Sequence, residues 1–242
     1  MIPRFFCPQP LVSRGMTELP PAMAHHASRV LRLGAGDEVT LFNGEGGECP
    51  GRIEEVGRGV RVRLGDWRDI ERESPLELVL AQALPSGDKM DWIVQKAVEL
   101  GAARIQPLSA ARSVVKLSGE RAERRVEHWR QVAIAACEQC GRNRLPLIEP
   151  ILDLRQWLGG RVQDNGISCL MLAPGATQRP RELAGARRLI LLVGPEGGLS
   201  EEEASMASSA GFAGLSLGPR ILRTETAGTA ALAALGALHG DL

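Results

Sequence analysis

The sequence predicts an α/β protein in which a small β-barrel precedes a parallel sheet covered by helices. The first 72 residues hold short alternating apolar runs separated by glycine-rich turns, a pattern typical of antiparallel strands. From Leu76 onward, apolar strands alternate with helical segments, which is typical of a mainly parallel sheet. The stretch ERESP at 71–75 separates the two patterns. We therefore predict one domain at 1–72 and a second at 73–242.

The predicted barrel contains three short strands and one helix. The strands fall at 37–44, 51–56 and 59–67, and the helix falls near 21–32. Glycines in the turn at 43–48 allow the tight reversal that neighbouring antiparallel strands need.

The second domain opens with an apolar strand at 76–84. Ser86 is a candidate cap for a helix that runs to Leu100 and is ended by Gly101. A strand at 103–108 and a long helix at 120–140 come next. The remaining predicted elements are a strand at 145–150, a short helix near 153–158, strands at 167–174 and 187–195, a helix from 200, a strand at 214–219 and a helix at 226–238.

Bulk composition is that of an ordinary soluble globular protein, with 44% hydrophobic and 24% charged residues. The chain has no run of 18 apolar residues, so no membrane span is expected. Its first ten residues lack a long apolar segment and contain prolines. We therefore expect no signal peptide and a cytoplasmic protein.

Charge distribution points to a specific nucleic-acid site rather than a general polyanion binder. The net charge is zero, which argues against non-specific binding of polyanions. Residues 104–144, however, contain nine basic and four acidic side chains. A local basic patch on a neutral protein favours a specific site on nucleic acid. For 119–130 alone, an ordinary solvated helix face is the simpler interpretation.

The five cysteines do not predict a metal centre. Cys137 and Cys140 form a C-x-x-C pair, but a tetrahedral zinc site needs two more ligands. The four histidines show no ligand spacing. Both cysteines continue an apolar stripe at helical spacing, so we expect them to pack in a core.

Three predicted strands are each followed by a loop that contains glycine and proline. These loops follow Leu172, Val193 and Leu217. In a parallel sheet with helices on both faces, ligands bind outside the carboxyl ends of the strands. Glycine lets the backbone approach a ligand closely, and proline fixes the loop. The loops are therefore the predicted ligand site.

The middle loop, VGPEGG, is poorly suited to phosphate. Ser200 and Glu203 form a capping box that satisfies the free N–H groups of the next helix. Glu201 and Glu202 add negative charge at that helix start, and no lysine follows the glycines as a phosphate loop requires. An adenosine with a positive charge and no phosphate fits better, and S-adenosylmethionine has these features.

The segment LGPRILRTETA at 217–227 carries the second motif. Thr224 or Glu225 can cap the last helix. The alternative to a functional motif is therefore a segment that only caps this helix. GPEGGLSEEE followed by LGPRILRTETA resembles the RsmE-type 16S rRNA methyltransferases of the SPOUT superfamily. The resemblance extends to the segments 25–47, 89–108, 111–116 and 137–146. Val98 departs from the pattern, since many members have threonine there.

The resemblance implies properties that the residue pattern alone does not. The second domain would be a SPOUT-type α/β fold tied in a deep trefoil knot, a rare feature in proteins. S-adenosylmethionine would lie in the knot, and a second subunit of a homodimer would complete the active site. The barrel would be PUA-like and help to bind RNA. The reaction would be methyl transfer to N3 of one uridine in 16S rRNA of the small ribosomal subunit.

The candidate site residues fall into three groups. Those for cofactor binding are Leu172, Gly194, Pro195, Glu196, Gly197, Leu217, Gly218, Ile221, Leu222 and Arg223. Those for RNA binding are Arg4, Arg29 and Arg32 in the barrel, and Arg112, Arg142 and Arg144 near the knot. Because uridine N3 must lose a proton, Glu196 and Glu225 are candidate general bases. Arg223 is a candidate donor to the uracil oxygens, and Arg220 could grip RNA phosphate.

A side chain at Gly197 is expected either to clash with the cofactor or to force a disallowed φ.

Two alternative functions stay open at the level of sequence. The same loops would also suit a related methyltransferase that acts on another base or on a ribose 2′-hydroxyl. The second alternative is a non-catalytic RNA-binding protein of ribosome assembly, but such a protein would need no intact cofactor loops, and here the loops look intact.

Overall fold

The computed structural model describes residues 2–161, 164, 166–183, 185 and 187–242. Contacts divide the chain into two compact units. The first comprises Met1–Glu73 with Ile134–Leu145, and the second comprises Ser74–Ala133 with Pro146–Leu242. The segment 134–145 therefore groups with the first unit although it lies within the second half of the sequence.

The first unit is built on a five-stranded sheet. Its strands are β1 (Arg4–Phe6), β2 (Met16–Glu18), β3 (Glu38–Phe42), β4 (Cys49–Val56) and β5 (Val60–Leu64), in the order β1-β3-β4-β5-β2. The pair β1–β3 is parallel and the others are antiparallel. β3, β4 and β5 match the predicted strands. β1 and β2 have three residues each, too few to show an alternating pattern.

One helix covers this sheet and matches the predicted segment. It begins as α1 (Pro21–His25) and continues as a π-helix over His26–Val30. Ala24 and Ala27 face a core built from alternating strand residues such as Val39 and Val62, as expected for side chains that alternate between the two faces of a strand.

The second unit is built on a seven-stranded sheet. Its strands are β6 (Glu77–Ala83), β7 (Ala102–Ser109), β8 (Leu147–Ile148), β9 (Leu152–Asp153), β10 (Ser168–Leu172), β11 (Arg188–Val193) and β12 (Ala213–Leu215). The order is β12-β10-β11-β6-β7-β8, and β9 also pairs with β7. Every pair among these described strands is parallel, which confirms the predicted sheet type.

Helices cover both faces of this sheet. The covering helices are α2 (Lys89–Glu99), α4 (Leu154–Gly159), α5 (Glu201–Ser209) and α6 (Thr224–His239). Helix α3 (Gly119–Cys140) begins in this unit, and its residues from Ile134 group with the first unit. On one face, Gly228 of α6 lies so close to Leu80 and Val193 that a Cβ there would be 3.6–3.7 Å from their side chains. On the other face, Ile190 and Leu192 pack with apolar residues of α4 and α5. Alternate residues of β11 therefore pack against helices on opposite faces of the sheet.

Two predicted helix starts are wrong in detail. Asp88, not Ser86, precedes α2, and it makes no side-chain cap bond. Arg223 precedes α6, so neither Thr224 nor Glu225 is the cap. In each case the expected capping hydroxyl is used in a tertiary hydrogen bond instead, which a local pattern cannot reveal. None of the described helices is long and apolar enough to cross a membrane.

Candidate functional site

The three predicted loops begin side by side at one edge of the parallel sheet. β10 pairs with β12 so that Leu172 lies opposite Leu215. β10 also pairs with β11, and Met171 lies opposite Leu192. Because the strands are parallel, the loops at 173–176, 194–199 and 216–223 all leave from their carboxyl ends. The fold therefore groups these loops where ligands bind in sheets of this class.

Each of these loops contains one glycine with a backbone that side chains disfavour. The φ angles are +82° at Gly175, +68° at Gly198 and +121° at Gly218. A Cβ built on any of the three would have no atom within 4 Å. Left-handed backbone with open space beside it lets a ligand contact the main chain directly. Of the two effects expected of a side chain at Gly197, the disallowed φ is wrong, since the positive φ belongs to Gly198, and the clash with the cofactor stays a prediction. Gly175 and Gly198 were not among the predicted site residues.

The loop after β11 is a tight turn held by backbone packing. A Cβ on Gly194 would lie 3.0 Å from the Leu199 nitrogen and 3.1 Å from the Gly198 carbonyl carbon. The Gly198 N–H donates to the carbonyl of the buried Pro195 at 2.9 Å. Nη1 of Arg112 donates to the Gly197 carbonyl at 2.8 Å. Arg112, predicted to bind RNA, thus supports this candidate cofactor loop.

Glu196 is held as a carboxylate by groups that follow β6. Its Oε1 accepts from the Ser86 amide at 3.0 Å, the Ser86 hydroxyl at 2.6 Å and Lys89 Nζ at 2.7 Å. Burial favours the neutral acid, but these donors outweigh it and lower the Glu196 pKa to about 2. Lys89 Nζ also lies 3.9 Å from Oε2 of Glu225 in α6. Lys89 therefore joins two of the loop regions.

We expect Glu196→Gln to destabilise the protein at neutral pH, with the loss disappearing in acid. The Glu196 pKa is lowered in the folded state, from 4.5 to about 2. Its contribution to stability is therefore present above pH 4.5 and is lost as pH falls through about 2. Urea unfolding of both proteins between pH 7 and pH 2 measures this. Glu201→Gln, which removes an exposed carboxylate, is the control, and a difference that is independent of pH would contradict the assignment.

The loop before α6 exposes an apolar and a basic side chain together. Ile221 is 85% exposed, and Arg220 and Arg223 are exposed without an ion pair to any described side chain. Arg223 is also the N-cap of α6 and makes no side-chain cap bond. A cation at a helix N-terminus opposes the helix dipole. Local stability therefore does not explain this arginine, which favours a functional role.

Three of the other predicted RNA-binding arginines form ion pairs within the protein, and they differ in how exposed they are. Nη1 of Arg4 pairs with Glu48 at 2.6 Å, and its Nη2 donates to Asn143 at 2.5 Å. Arg142 pairs with Glu73 at 2.5 Å and its side chain is only 4% exposed. Arg144 pairs with Glu71 at 2.5 Å and is half exposed. Arg4 and Arg142 are thus committed within the first unit, and their contact with RNA stays a prediction.

A groove of about 480 Å³ lies on the first unit between the helix and the β4–β5 hairpin. Glu18, His25, Ser28, Arg29 and Arg58 contribute to its lining. Arg29 and Arg58 are exposed and form no ion pair within the described part of the chain. Four other exposed arginines of this unit are paired: Arg14 with Asp66, Arg52 with Glu38, Arg61 with Glu55 and Arg63 with Glu54. Arg32 and Arg68 are exposed and form no ion pair among the described residues, but they do not line the groove. The groove therefore brings two free arginines together, and Arg58 was not predicted.

Cys137 is fully buried, and burial raises the pKa of its thiol to about 12. A thiol of this kind is protonated and unreactive at neutral pH. Within the described residues, no group of three or more His, Cys, Asp or Glu side chains could hold a metal ion.

Comparison with known protein families assigns both units. Residues 72–236 match the model of an RNA methyltransferase domain, and residues 19–64 match that of an RNA methyltransferase PUA domain. The chain belongs to the RNA methyltransferase family. The fold is the α/β fold of SPOUT methyltransferases, preceded by a PUA domain.

Named relatives within this family are similar over nearly the whole chain. The ribosomal RNA small subunit methyltransferase E of Bacillus subtilis is 35% identical over 231 residues, which covers 90% of each chain. The protein of the same name from Mycobacterium tuberculosis is 34% identical over 88% of this chain and 83% of its own. The chain is therefore similar to these methyltransferases in both domains.

Two solved structures from the family are similar over their full lengths. The ribosomal RNA small subunit methyltransferase E of Neisseria gonorrhoeae, bound to S-adenosyl methionine, has 35% identity and a TM-score of 0.93. A Legionella pneumophila methyltransferase with the bound cofactor SAM has 38% identity and a TM-score of 0.95. Each comparison covers 100% of both chains. The trefoil knot and the roles of individual residues in this chain stay predictions.

Proposed function

We propose that the protein is an S-adenosylmethionine-dependent methyltransferase that methylates N3 of one uridine in 16S rRNA of the small ribosomal subunit. The observation that carries this proposal is the group of three loops at one sheet edge, each with an open left-handed glycine. Relatives that share these domains are named for small-subunit rRNA, and two were solved with the cofactor. Such a protein would act in the cytoplasm, where small subunits are assembled.

The loops fit an adenosine ligand better than a phosphate ligand. The Ser200 side chain accepts from the Glu203 amide at 3.1 Å, and Glu203 accepts from the Ser200 amide at 2.9 Å. This confirms the predicted capping box, which uses the amides that would bind a phosphate. The open main chain at Gly198 and Gly218 remains for contacts with a base and a ribose.

Calorimetric titration with S-adenosylmethionine tests the cofactor assignment. We expect one site per chain, with the same affinity before and after treatment of the protein with a chelator. Binding that disappears on chelation and returns with zinc would contradict a metal-free site. Absence of binding to native protein would overturn the proposed function itself.

When bound, the cofactor supplies an electrophilic methyl group. Uridine N3 carries a proton at neutral pH, so the protein's task is to accept that proton and stabilise the resulting charge. Glu196 is a poor acceptor because its pKa is about 2. Glu225 is the remaining candidate, because its Oε2 has no hydrogen-bond partner in the described residues, although Lys89 Nζ lies 3.9 Å away. Glu225 would take the proton from N3, and N3 would form the new bond to the methyl carbon while the methyl–sulfur bond breaks, its electron pair goes to sulfur and neutral S-adenosylhomocysteine leaves.

Arg223 would stabilise the negative charge that develops on the uracil. Its guanidinium is exposed at the start of α6, two residues before Glu225. Loss of the N3 proton spreads negative charge onto O2 and O4 of the ring, and a fixed cation there lowers the energy of the transition state. Glu225 would thus accept the proton, and Arg223 would stabilise the negative charge that its loss leaves on the uracil.

The groove on the first unit is the surface that we expect to contact rRNA through phosphates. Arg29→Ala combined with Arg58→Ala should weaken rRNA binding and lower the slope of log affinity against log salt by about one for each lost phosphate contact. Filter binding at several salt concentrations measures this. Arg61→Ala, in the same unit but paired with Glu55, is the control. Equal salt slopes for all three proteins would exclude the groove.

We also expect a homodimer formed by the second unit. Ile221 and Val114, at 85% and 76% exposure, are the two most exposed of the described large apolar side chains. Small residues line the outer face of α6 at helical spacing: Thr226, Ala230, Ala233 and Ala237. Small side chains allow a second helix to approach closely. Light scattering should give twice the 26.0 kDa chain mass, and a fully active monomer at micromolar concentration would contradict this.

A further inference from the structure

Gln82, at the end of β6, is a fully buried polar residue that takes no part in the proposed chemistry. Its Nε2 donates to the Ala83 carbonyl at 2.9 Å and to the Thr224 hydroxyl at 3.0 Å. The Thr224 hydroxyl in turn donates to the Gly194 carbonyl at 2.6 Å. One amide is therefore linked to the start of α6 and to the first residue of the loop after β11.

The number of available protons fixes the direction of each hydrogen bond between Gln82, Thr224 and Gly194. The Thr224 hydroxyl has one proton, and a carbonyl such as that of Gly194 can only accept it. Thr224 must therefore accept from Gln82, which requires the NH₂ group of the amide rather than its oxygen. The Ala83 carbonyl sets the same requirement. The amide of Gln82 thus has a single orientation that satisfies both of its partners.

That orientation leaves Oε1 of Gln82 buried without a hydrogen-bond partner in the described part of the structure. Oε1 faces α6, where a Cβ on Gly228 would lie 3.4 Å away. A buried acceptor without a partner is destabilising, and an apolar side chain of similar length would avoid this penalty. Stability alone therefore does not favour glutamine here. What the glutamine provides is a fixed distance between the two elements that it joins.

We propose that Gln82 is a positioning residue that holds two candidate cofactor loops in register through Thr224. One loop begins at Gly194, and the other ends at Arg223, directly before Thr224. A displacement of either loop moves the open glycines Gly198 and Gly218 and the candidate pair Arg223 and Glu225. Small displacements of such groups slow catalysis strongly. The link to cofactor binding and catalysis rests on the proposed function, whereas the effect on loop order does not.

Two substitutions remove the link without removing volume. Gln82→Met deletes both donors and the orphan oxygen, and Thr224→Val replaces the hydroxyl with a methyl group of the same shape. Thr224→Ser keeps the hydroxyl and should restore wild-type behaviour. Gln106→Met is the matched control: Gln106 is also buried, and its Nε2 donates to the carbonyls of Pro107 and Pro150 at 3.0 and 2.8 Å.

The first measurement is hydrogen–deuterium exchange of the protein without cofactor. In Gln82→Met and Thr224→Val, amides at 196–199 and 220–223 should exchange at least about tenfold faster, while amides of β3–β5 exchange as in the wild type. The thermal midpoint of Gln82→Met should equal or exceed that of the wild type. Gln106→Met should leave exchange in both loops unchanged. Unchanged loop exchange in Gln82→Met and Thr224→Val would overturn the proposal.

The second measurement is S-adenosylmethionine affinity and single-turnover methyl transfer to small ribosomal subunits. Gln82→Met should lose about tenfold or more in affinity or rate at a thermal midpoint no lower than that of the wild type. Thr224→Val leaves the Gly194 carbonyl without its donor, so its loss of affinity or rate should exceed its loss of stability, and Thr224→Ser should recover the wild-type affinity and rate. Activity that falls only in proportion to stability would show a merely structural role and contradict the proposal. A wild-type protein that neither binds the cofactor nor transfers methyl would overturn the proposed function, and the exchange result would still decide the role of Gln82.

Discussion

Arg223→Ala is expected to slow single-turnover methyl transfer by about a hundredfold or more while S-adenosylmethionine affinity stays near that of the wild type. This is the size of effect seen when one donor to a developing anion is removed. Arg223 is exposed, makes no side-chain cap bond at α6 and opposes the helix dipole. Its removal should therefore cost no folding stability. Cofactor titration and single-turnover rates on the same preparation measure the two quantities separately.

Arg220→Ala provides the comparison within the same loop. Arg220 is also exposed and is expected to contact RNA phosphate, so its loss should weaken rRNA binding without slowing transfer from the saturated complex. If Arg223→Ala loses cofactor affinity in proportion to activity, then Arg223 shapes the loop or contacts the cofactor. In that case the role assigned to it at the uracil would be incorrect.

Gly198→Val is expected to weaken S-adenosylmethionine binding by roughly tenfold to a hundredfold. Gly198 has φ +68°, and a β-branched residue is strained there by about 1–3 kcal/mol. The variant can relieve this strain by changing the turn at 195–199, which moves the main chain away from the ligand. A Cβ at Gly198 would also project into the open space beside the loop. Calorimetry measures the affinity, and activity should fall with it.

Gly36→Val separates loop geometry from general instability. Gly36 has φ +97°, a Cβ there would have no atom within 4 Å, and it belongs to the first unit. This variant should lose a similar amount of stability and keep its cofactor affinity. Gly197→Val should have a smaller effect than Gly198→Val, because Gly197 lacks a positive φ and the three atoms nearest to a Cβ there all belong to the Arg112 side chain, at 3.2–3.8 Å. Equal losses of cofactor affinity in Gly36→Val and Gly198→Val would contradict a specific role of this loop in cofactor binding.

Local sequence patterns were sufficient for most elements of the fold and for two of the candidate loops that meet at one edge of the sheet. Alternation and helical spacing predicted the strands of the second unit, and the Ser200–Glu203 capping box is present. These features depend on residues a few positions apart. The loops that follow Leu172 and Val193 were predicted from glycine and proline directly after apolar strands, and the parallel sheet brings their starts together.

The parts that could not be predicted depend on contacts between distant residues. Ser86 was expected to cap a helix, but it binds Glu196, 110 positions away. Gln82 reaches Thr224 over 142 positions, and nothing local marks either residue. Likewise, charge counting could not separate the buried, paired Arg142 from the free Arg29, because pairing is decided by tertiary structure. The trefoil knot came from family resemblance alone and stays a prediction.

The most direct test is methylation of small ribosomal subunits that lack the modification. Purified protein, S-adenosylmethionine with a labelled methyl group and subunits from a deletion strain are incubated together, and the rRNA is digested and separated by nucleoside mass spectrometry. The account predicts about one label per subunit, in a uridine with the methyl group on the base, co-eluting with N3-methyluridine. Label on a ribose or another base would indicate a different methyltransferase. Binding of rRNA without any transfer would indicate an assembly factor and contradict the central claim.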